Sequence, residues 1–155
     1  THVVVDLAAQ NFAPLSAWID DSGLFDMLQE LNTAVFFWHV MDDGMDSLNL
    51  LDKLLDSYGT KVSSVILLNF GRGTNFKLFE ESQQKQKALE MNANVMKLRK
   101  LHEGCMRKMD ALSISFWAAL NNKTPKGTCL SVSERQRVKV WLNQAYQDLD
   151  TLLNR

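Results

Sequence analysis

His2-Val-Val-Val-Asp-Leu-Ala-Ala-Gln10 is the stretch on which the fold turns. Three β-branched residues in succession, without polar alternation, predict a short strand buried on both faces, as in a parallel sheet. The run ends in Asp6, and open α/β sheets gather their ligand chemistry at the carboxyl ends of strands. Two later stretches repeat the design. Thr33-Ala-Val-Phe-Phe-Trp-His-Val-Met41 is a continuous apolar run, also expected to be covered on both sides, and Asp42-Asp43-Gly44 stops it. Val62-Ser-Ser-Val-Ile-Leu-Leu-Asn69 runs into Phe70-Gly-Arg-Gly-Thr74, and Ala93 to Leu98 is a shorter fourth candidate.

Helical patterns separate these runs. Asn11 to Glu30 reads as two helical pieces broken at Ser22-Gly23, with Pro14 suited to a first turn. Asp46 or Ser47 is the expected cap of a helix to Tyr58, whose buried stripe is Leu48, Leu51, Leu54 and Leu55, with Gly59 as its stop. One helix is expected from Phe76 to Met91 and another from His102 to Leu120, the latter with Met106, Met109, Leu112, Phe116 and Leu120 on one face. Asn121 to Cys129, with Pro125 and Gly127, reads as a loop. Ser131 or Ser133 caps a last helix with Val138, Trp141, Leu142, Ala145, Leu149 and Leu152 as its stripe. Trp117 and Trp141 are expected in the core. Strand–helix alternation with unalternating strands predicts right-handed βαβ units. The expected fold is a three-layer α/β domain over residues 1–155, with a parallel sheet of about four strands and two C-terminal helices.

Composition is that of a globular protein: 155 residues, 46% hydrophobic and 23% charged. No apolar run is long enough to cross a bilayer, and no signal-peptide pattern opens the chain. Cys105 and Cys129 form no CxxC motif, so free thiols in a reducing cytoplasm are expected. The net charge of −1 conceals a gradient. Residues 1–80 carry 11 acids and 4 bases, whereas residues 81–155 carry 7 acids and 13 bases. Lys97, Arg99, Lys100, Arg107 and Lys108 cluster after the fourth strand, and Arg135, Arg137 and Lys139 open the last helix. Such a half suits duplex DNA or an acidic partner, against the plainer reading of solvated helix faces.

The predicted strand ends carry Asp6 with Gln10, then Asp42 and Asp43, then Asn69 with Gly71-Arg72-Gly73. An acid, an amide and a Gly-Arg-Gly turn are what a Mg²⁺-bound nucleotide needs: carboxylates hold hydrated Mg²⁺, and the guanidinium fork binds phosphate. Turn and cap roles are the plainer reading of Asp42, Asp43 and Asp46, and a solvated turn that of Arg72. His102 and Cys105 make at most half a zinc site. His39, inside an apolar strand, is expected to be a core residue with a satisfied hydrogen bond. No G-x-S-x-G elbow anchors a hydrolase triad.

Val3-Val-Val-Asp-Leu-Ala-Ala-Gln10, followed by Phe12-Ala-Pro-Leu-Ser16, resembles the Walker B and switch II segment of the ParA/MinD superfamily of P-loop ATPases. The likeness is to its plasmid stability, mobilisation and conjugal-transfer branch (StbB-, MobD- and TraL-like proteins). Val65-Ile-Leu-Leu-Asn69-Phe-Gly-Arg72 resembles the later strand whose terminal Asn contacts adenine. The resemblance implies Asp6 as the acid holding Mg²⁺ through water, Gln10 as a catalytic switch residue, and Asn69 and Arg72 on the nucleotide. It further implies ATP and Mg²⁺ as cofactors, a homodimer, and non-specific DNA contact through the Lys97–Lys108 cluster, alongside partition or transfer proteins as partners. Ala8 stands where the family often has Pro.

One motif is missing from the 155 residues: G-x-x-x-x-G-K-[ST], whose backbone amides and Lys cradle the phosphates. In the family that loop precedes Walker B, so it would lie upstream of Thr1. The chain is then expected to be the carboxyl-terminal portion of such an ATPase, without hydrolysis of its own. The alternative is a non-catalytic α/β interaction module that binds a protein or DNA partner. An unrelated flavodoxin-like domain is a third, weaker reading.

Overall fold

A computed structural model describes residues 3–7, 11–122 and 130–153. Contacts divide the chain into two compact units, residues 1–36 and 37–155.

In the first unit, α1 (Phe12–Ser22) and α2 (Leu24–Glu30) pack on each other. Between them Gly23 adopts φ +58°, the left-handed conformation that ends a helix at least cost when no Cβ is present. The break at Ser22-Gly23 therefore falls as the sequence predicts. The leading strand does not form. Residues 3–7 have no regular secondary structure, and Val3, Val4 and Val5 are 81%, 93% and 71% exposed. A buried strand needs neighbours that take its N–H and C=O groups and cover its side chains. Among the described residues no strand pairs with it.

The second unit is α/β. It holds β1 (Phe36–Met41, opening one residue before the boundary), β2 (Ser63–Asn69) and β3 (Asn94–Leu98) in a parallel sheet of order β1-β2-β3. Among the described residues the sheet thus has three strands rather than about four. β2 pairs with β3 in the register Val65↔Asn94 through Asn69↔Leu98. The central strand is buried on both faces, since Val65, Ile66 and Leu68 are all inaccessible. Edge strand β1 is not: Phe36 and Val40 are exposed, and its middle is only half-buried.

Helices α3 (Met45–Tyr58), α4 (Lys77–Glu80) and α5 (Gln83–Glu90) follow β1 and β2. Leu48, Leu51 and Leu55 of α3 join Ile66 and Leu68 of β2, with Phe76, Phe79 and Ala88, in one core. Lys87 ties α5 to α3 through Asp52 at 2.8 Å and Asp56 at 2.6 Å. α3 begins after Gly44, not at an Asp46 or Ser47 cap; the Ser47 hydroxyl instead donates to Asp42 Oδ1 at 2.6 Å. The helix expected over Phe76–Met91 is two, because the Ser82 hydroxyl caps a new start by accepting from Lys85 N.

Past β3, the expected single helix His102–Leu120 is α6 (Glu103–Ala111) and α7 (Phe116–Asn121). Ser113 sits at φ +50°, and Ser115 caps α7 by accepting from Ala118 N. Among the described residues three helices, not two, therefore follow the sheet. The last, α8 (Val132–Leu153), joins Leu101, Cys105, Met109, Ala119 and Leu130 in a second core through Val138 and Leu142. Trp141 stacks on Phe116 at a centroid distance of 5.1 Å. Trp117 departs from expectation: it is 71% exposed, because the helix break rotates it off the buried stripe. The Asn121–Cys129 loop lies mostly outside the described residues.

α8 opens with a capping box, Ser131-Val132-Ser133-Glu134. Glu134 N donates to Ser131 Oγ at 3.3 Å, and Ser131 N donates to Glu134 Oε2 at 2.6 Å. The same oxygen accepts from Lys108 Nζ at 2.9 Å, joining α8 to α6. The Ser131 amide, then Lys108, hold the Glu134 carboxyl down at about 2. A depressed carboxyl stabilises the fold above its unfolded pKa and ceases to as the pH falls through its folded one. The destabilisation caused by Glu134→Gln should be about 1 kcal/mol at neutral pH. It should shrink below about pH 4.5 and vanish near pH 2, as urea titrations of both proteins across that range would show.

Candidate functional site

The carboxyl ends of β1 and β2 meet in one hydrogen-bonded assembly. β1 gives way to Asp42-Asp43-Gly44. Asp42 Oδ1 accepts from Gly44 N at 3.0 Å and from the Ser47 hydroxyl, closing the turn on itself. Asp43 reaches across to the loop after β2: its Oδ2 accepts from Thr74 N at 2.7 Å and Asn75 N at 3.0 Å. The contact is close. A Cβ at Gly73 would lie 2.8 Å from both the Asp43 nitrogen and its Cγ, so glycine is required there for proximity rather than for its φ. Two amides aimed at one carboxylate oxygen keep Asp43 ionised below the usual carboxylate range, Asn75 contributing most. Asp42 is lowered in the same sense by the Ser47 hydroxyl and the Gly44 amide. The turn part of the plainer reading is what the geometry bears out for Asp42, whereas neither acid caps α3, and Asp43 makes a cross-loop clamp that the sequence did not disclose.

Asn69 ends β2. Its Oδ1 accepts from Gly71 N at 2.9 Å, and its carbonyl accepts from Arg72 N at 2.9 Å and Gly73 N at 3.0 Å. This side-chain and main-chain turn projects Arg72 into solvent, where it makes no ion pair or side-chain hydrogen bond among the described residues. Asn69 and Arg72 therefore stand together on one loop. Asp6 belongs to the first unit, in an exposed irregular segment, and Gln10 lies outside the described residues.

The residues present were weighed against a Mg²⁺-bound nucleotide. At its base end they fit, since the Asn69 amide nitrogen remains to donate to a ring nitrogen beside an uncommitted guanidinium. At its phosphate end they do not: the loop amides of Thr74 and Asn75 already serve Asp43, and the 155 residues hold no G-x-x-x-x-G-K-[ST] loop. No group of three His, Cys, Asp or Glu side chains suited to a metal occurs among the described residues.

His39 occupies the core position expected of it, half-buried, with Nε2 donating to the Ser47 carbonyl at 2.9 Å. Burial pushes its pKa below the ordinary value, only partly offset by that bond. Cys105 is a buried free thiol, its Sγ 4.0 Å from His102 Nδ1.

Of the five clustered cations, three have internal partners. Lys97 lies 3.7 Å from Glu80, Arg107 3.8 Å from Glu103, and Lys108 pairs with Glu134. Arg99 and Lys100 have no carboxylate partner among the described residues. They border a cleft of about 740 Å³ between β3 and the end of α8, reached also by Thr74 and Asp148. No helix among the described residues is long and apolar enough to cross a membrane.

Replacing Asp43 by Ala should lower the melting temperature and free the Thr74 and Asn75 amides to exchange, while leaving far-UV circular dichroism unchanged. Hydrogen exchange read by amide position distinguishes this from general unfolding, which would expose Ile66 equally. Among known proteins, no family model, no curated sequence and no solved structure matches this chain.

Proposed function

We propose that this chain is part of a ParA/MinD-like ATP-dependent switch protein acting in plasmid partition, stability or mobilisation. On this reading Asn69 and Arg72 belong to the base side of its nucleotide site. The observation that carries it is the turn after β2: a central buried strand ending in an Asn whose side chain shapes a Gly-Arg-Gly loop. Ligand contacts at the carboxyl end of a parallel strand are the general rule for such sheets. Asp6 as the Mg²⁺ acid and Gln10 as the switch residue rest on the sequence resemblance alone. The phosphate cradle has to come from residues not in this sequence, so this chain by itself hydrolyses no ATP.

The test is a titration of the chain with adenosine, followed by backbone amide shifts. Saturable shifts at Gly71, Arg72 and Gly73 are expected, lost on Asn69→Ala and absent with guanosine. Unmoved amides in that loop would overturn the reading, and turnover of ATP by the pure chain would overturn its expected lack of hydrolysis.

Contact with duplex DNA, as part of the same reading, rests on Arg99 and Lys100, since the other three clustered cations have carboxylate neighbours. Two phosphate contacts imply a slope of about −1.8 in log affinity against log salt, against about −4.5 for all five. Fluorescence anisotropy with a labelled duplex over a salt series reads that slope directly.

A second reading, a non-catalytic interaction module, is favoured by the cleft beside β3, whose wall of Asn94 to Lys97 is not needed for a nucleotide.

A further inference from the structure

The cleft beside β3 is walled by Asn94, Val95, Met96 and Lys97 in unbroken succession, with Asp148 and Thr151 of α8 opposite. A sheet face shows every second residue of a strand, so a wall of consecutive residues is the strand's edge. The ladder fixes which backbone groups lie there. Phe70 N donates to the Leu98 carbonyl at 2.9 Å, so Leu98, Met96 and Asn94 turn their N–H and C=O groups toward β2. Val95, Lys97 and Arg99 turn theirs outward. Arg99 bears out this alternation, because its carbonyl accepts from Trp141 Nε1 of α8 at 2.7 Å. The outward groups of Val95 and Lys97 have no partner among the described residues. One end of the edge is capped by an indole, and the next four backbone groups stand open in a cleft.

We propose that this cleft takes an extended acidic peptide from a partner protein, which adds to β3 as a further strand and hydrogen-bonds the backbone of Val95 and Lys97. Strand addition draws affinity from main-chain hydrogen bonds and selectivity from the side chains beside them. The selectivity here is electrostatic. Arg99 and Lys100, without carboxylate partners among the described residues, line the cleft beside Lys97, which Glu80 approaches at 3.7 Å; the one acid lining it, Asp148, already accepts from Gln144 Nε2 at 2.9 Å. A second copy of β3 would bring the same three cations onto these ones, and like charges across a strand pair are unfavourable. Nucleic acid would use the cations but leave the open N–H and C=O pairs unmet. An acidic strand satisfies both.

The proposal does not rest on the nucleotide reading, and the two are read out at different amides. The probe is a capped peptide of alternating glutamate and valine. Its lysine–valine counterpart, the same acidic peptide N-methylated at every second residue, and a short DNA duplex serve as comparisons. Adding the acidic peptide should slow hydrogen exchange at Val95 and Lys97 about tenfold while the amides of Gly71 and Arg72, which do not line the cleft, stay unchanged. N-methylation should abolish this, and Arg99→Glu with Lys100→Glu should weaken binding about tenfold, the equivalent of 1.4 kcal/mol. The double variant changes only exposed side chains, so its fold should be retained. Absence of protection by the acidic peptide, equal binding of the N-methylated form, or protection by the duplex alone would each overturn the assignment.

Discussion

The parallel ladder between Ser63–Asn69 and Asn94–Leu98 is the constraint on which the second unit depends. Its register places Asn69 beside Leu98, so the two strands end together and their following loops leave the sheet at one edge. A single-residue slip would exchange the faces of Ile66 and Leu68, which meet α3 and α5, for those of Val65 and Leu67. The same ladder decides what is left over. Because alternate residues of β3 face β2, the remaining backbone groups face outward, where Trp141 serves one of them.

The loops at the carboxyl edge are held by backbone donors on the Asp43 carboxylate and the Asn69 carboxamide, with Phe70 and Phe76 packed at 4.7 Å beside them. Asp43 binds two amides 31 and 32 residues away in the chain, and Asn69 binds its own turn. The bonds to Asp43 are charge-assisted, and such bonds are stronger than neutral ones and set geometry closely. They also consume donors. Amides that hold Asp43 are not available to a phosphate. Arg72 is left projecting because the turn beneath it is satisfied without it.

Much of this was legible from residue pattern. Helix α3 with its leucines, the Gly23 break, a serine cap at the start of α8 and the strands ending in Met41 and Asn69 follow from local chemistry: spacing of apolar residues, a glycine where φ is positive, a serine that caps. The misjudged elements share a cause. Val3–Val5 has the composition of a buried strand, yet a strand exists only through partners, and none is paired with it among the described residues. The long helix expected from His102 to Leu120 has an adequate apolar stripe, but Ser113 and Ser115 offer the backbone a competing cap, and Trp117 then faces solvent.

By itself, then, the sequence determined the α/β class, the positions of the buried strand β2 and of strand β3, and the placing of Asn69 and Arg72 at a strand end, because each rests on periodicity or on the conformational preference of single residues. Only the tertiary structure decided that Asp43 clamps the loop after β2, that three of the five clustered cations are internally paired, and that β3 presents an open edge. Those depend on which residues far apart in the chain come within hydrogen-bonding distance, and pairing across such separations is fixed by register and packing, not by local pattern.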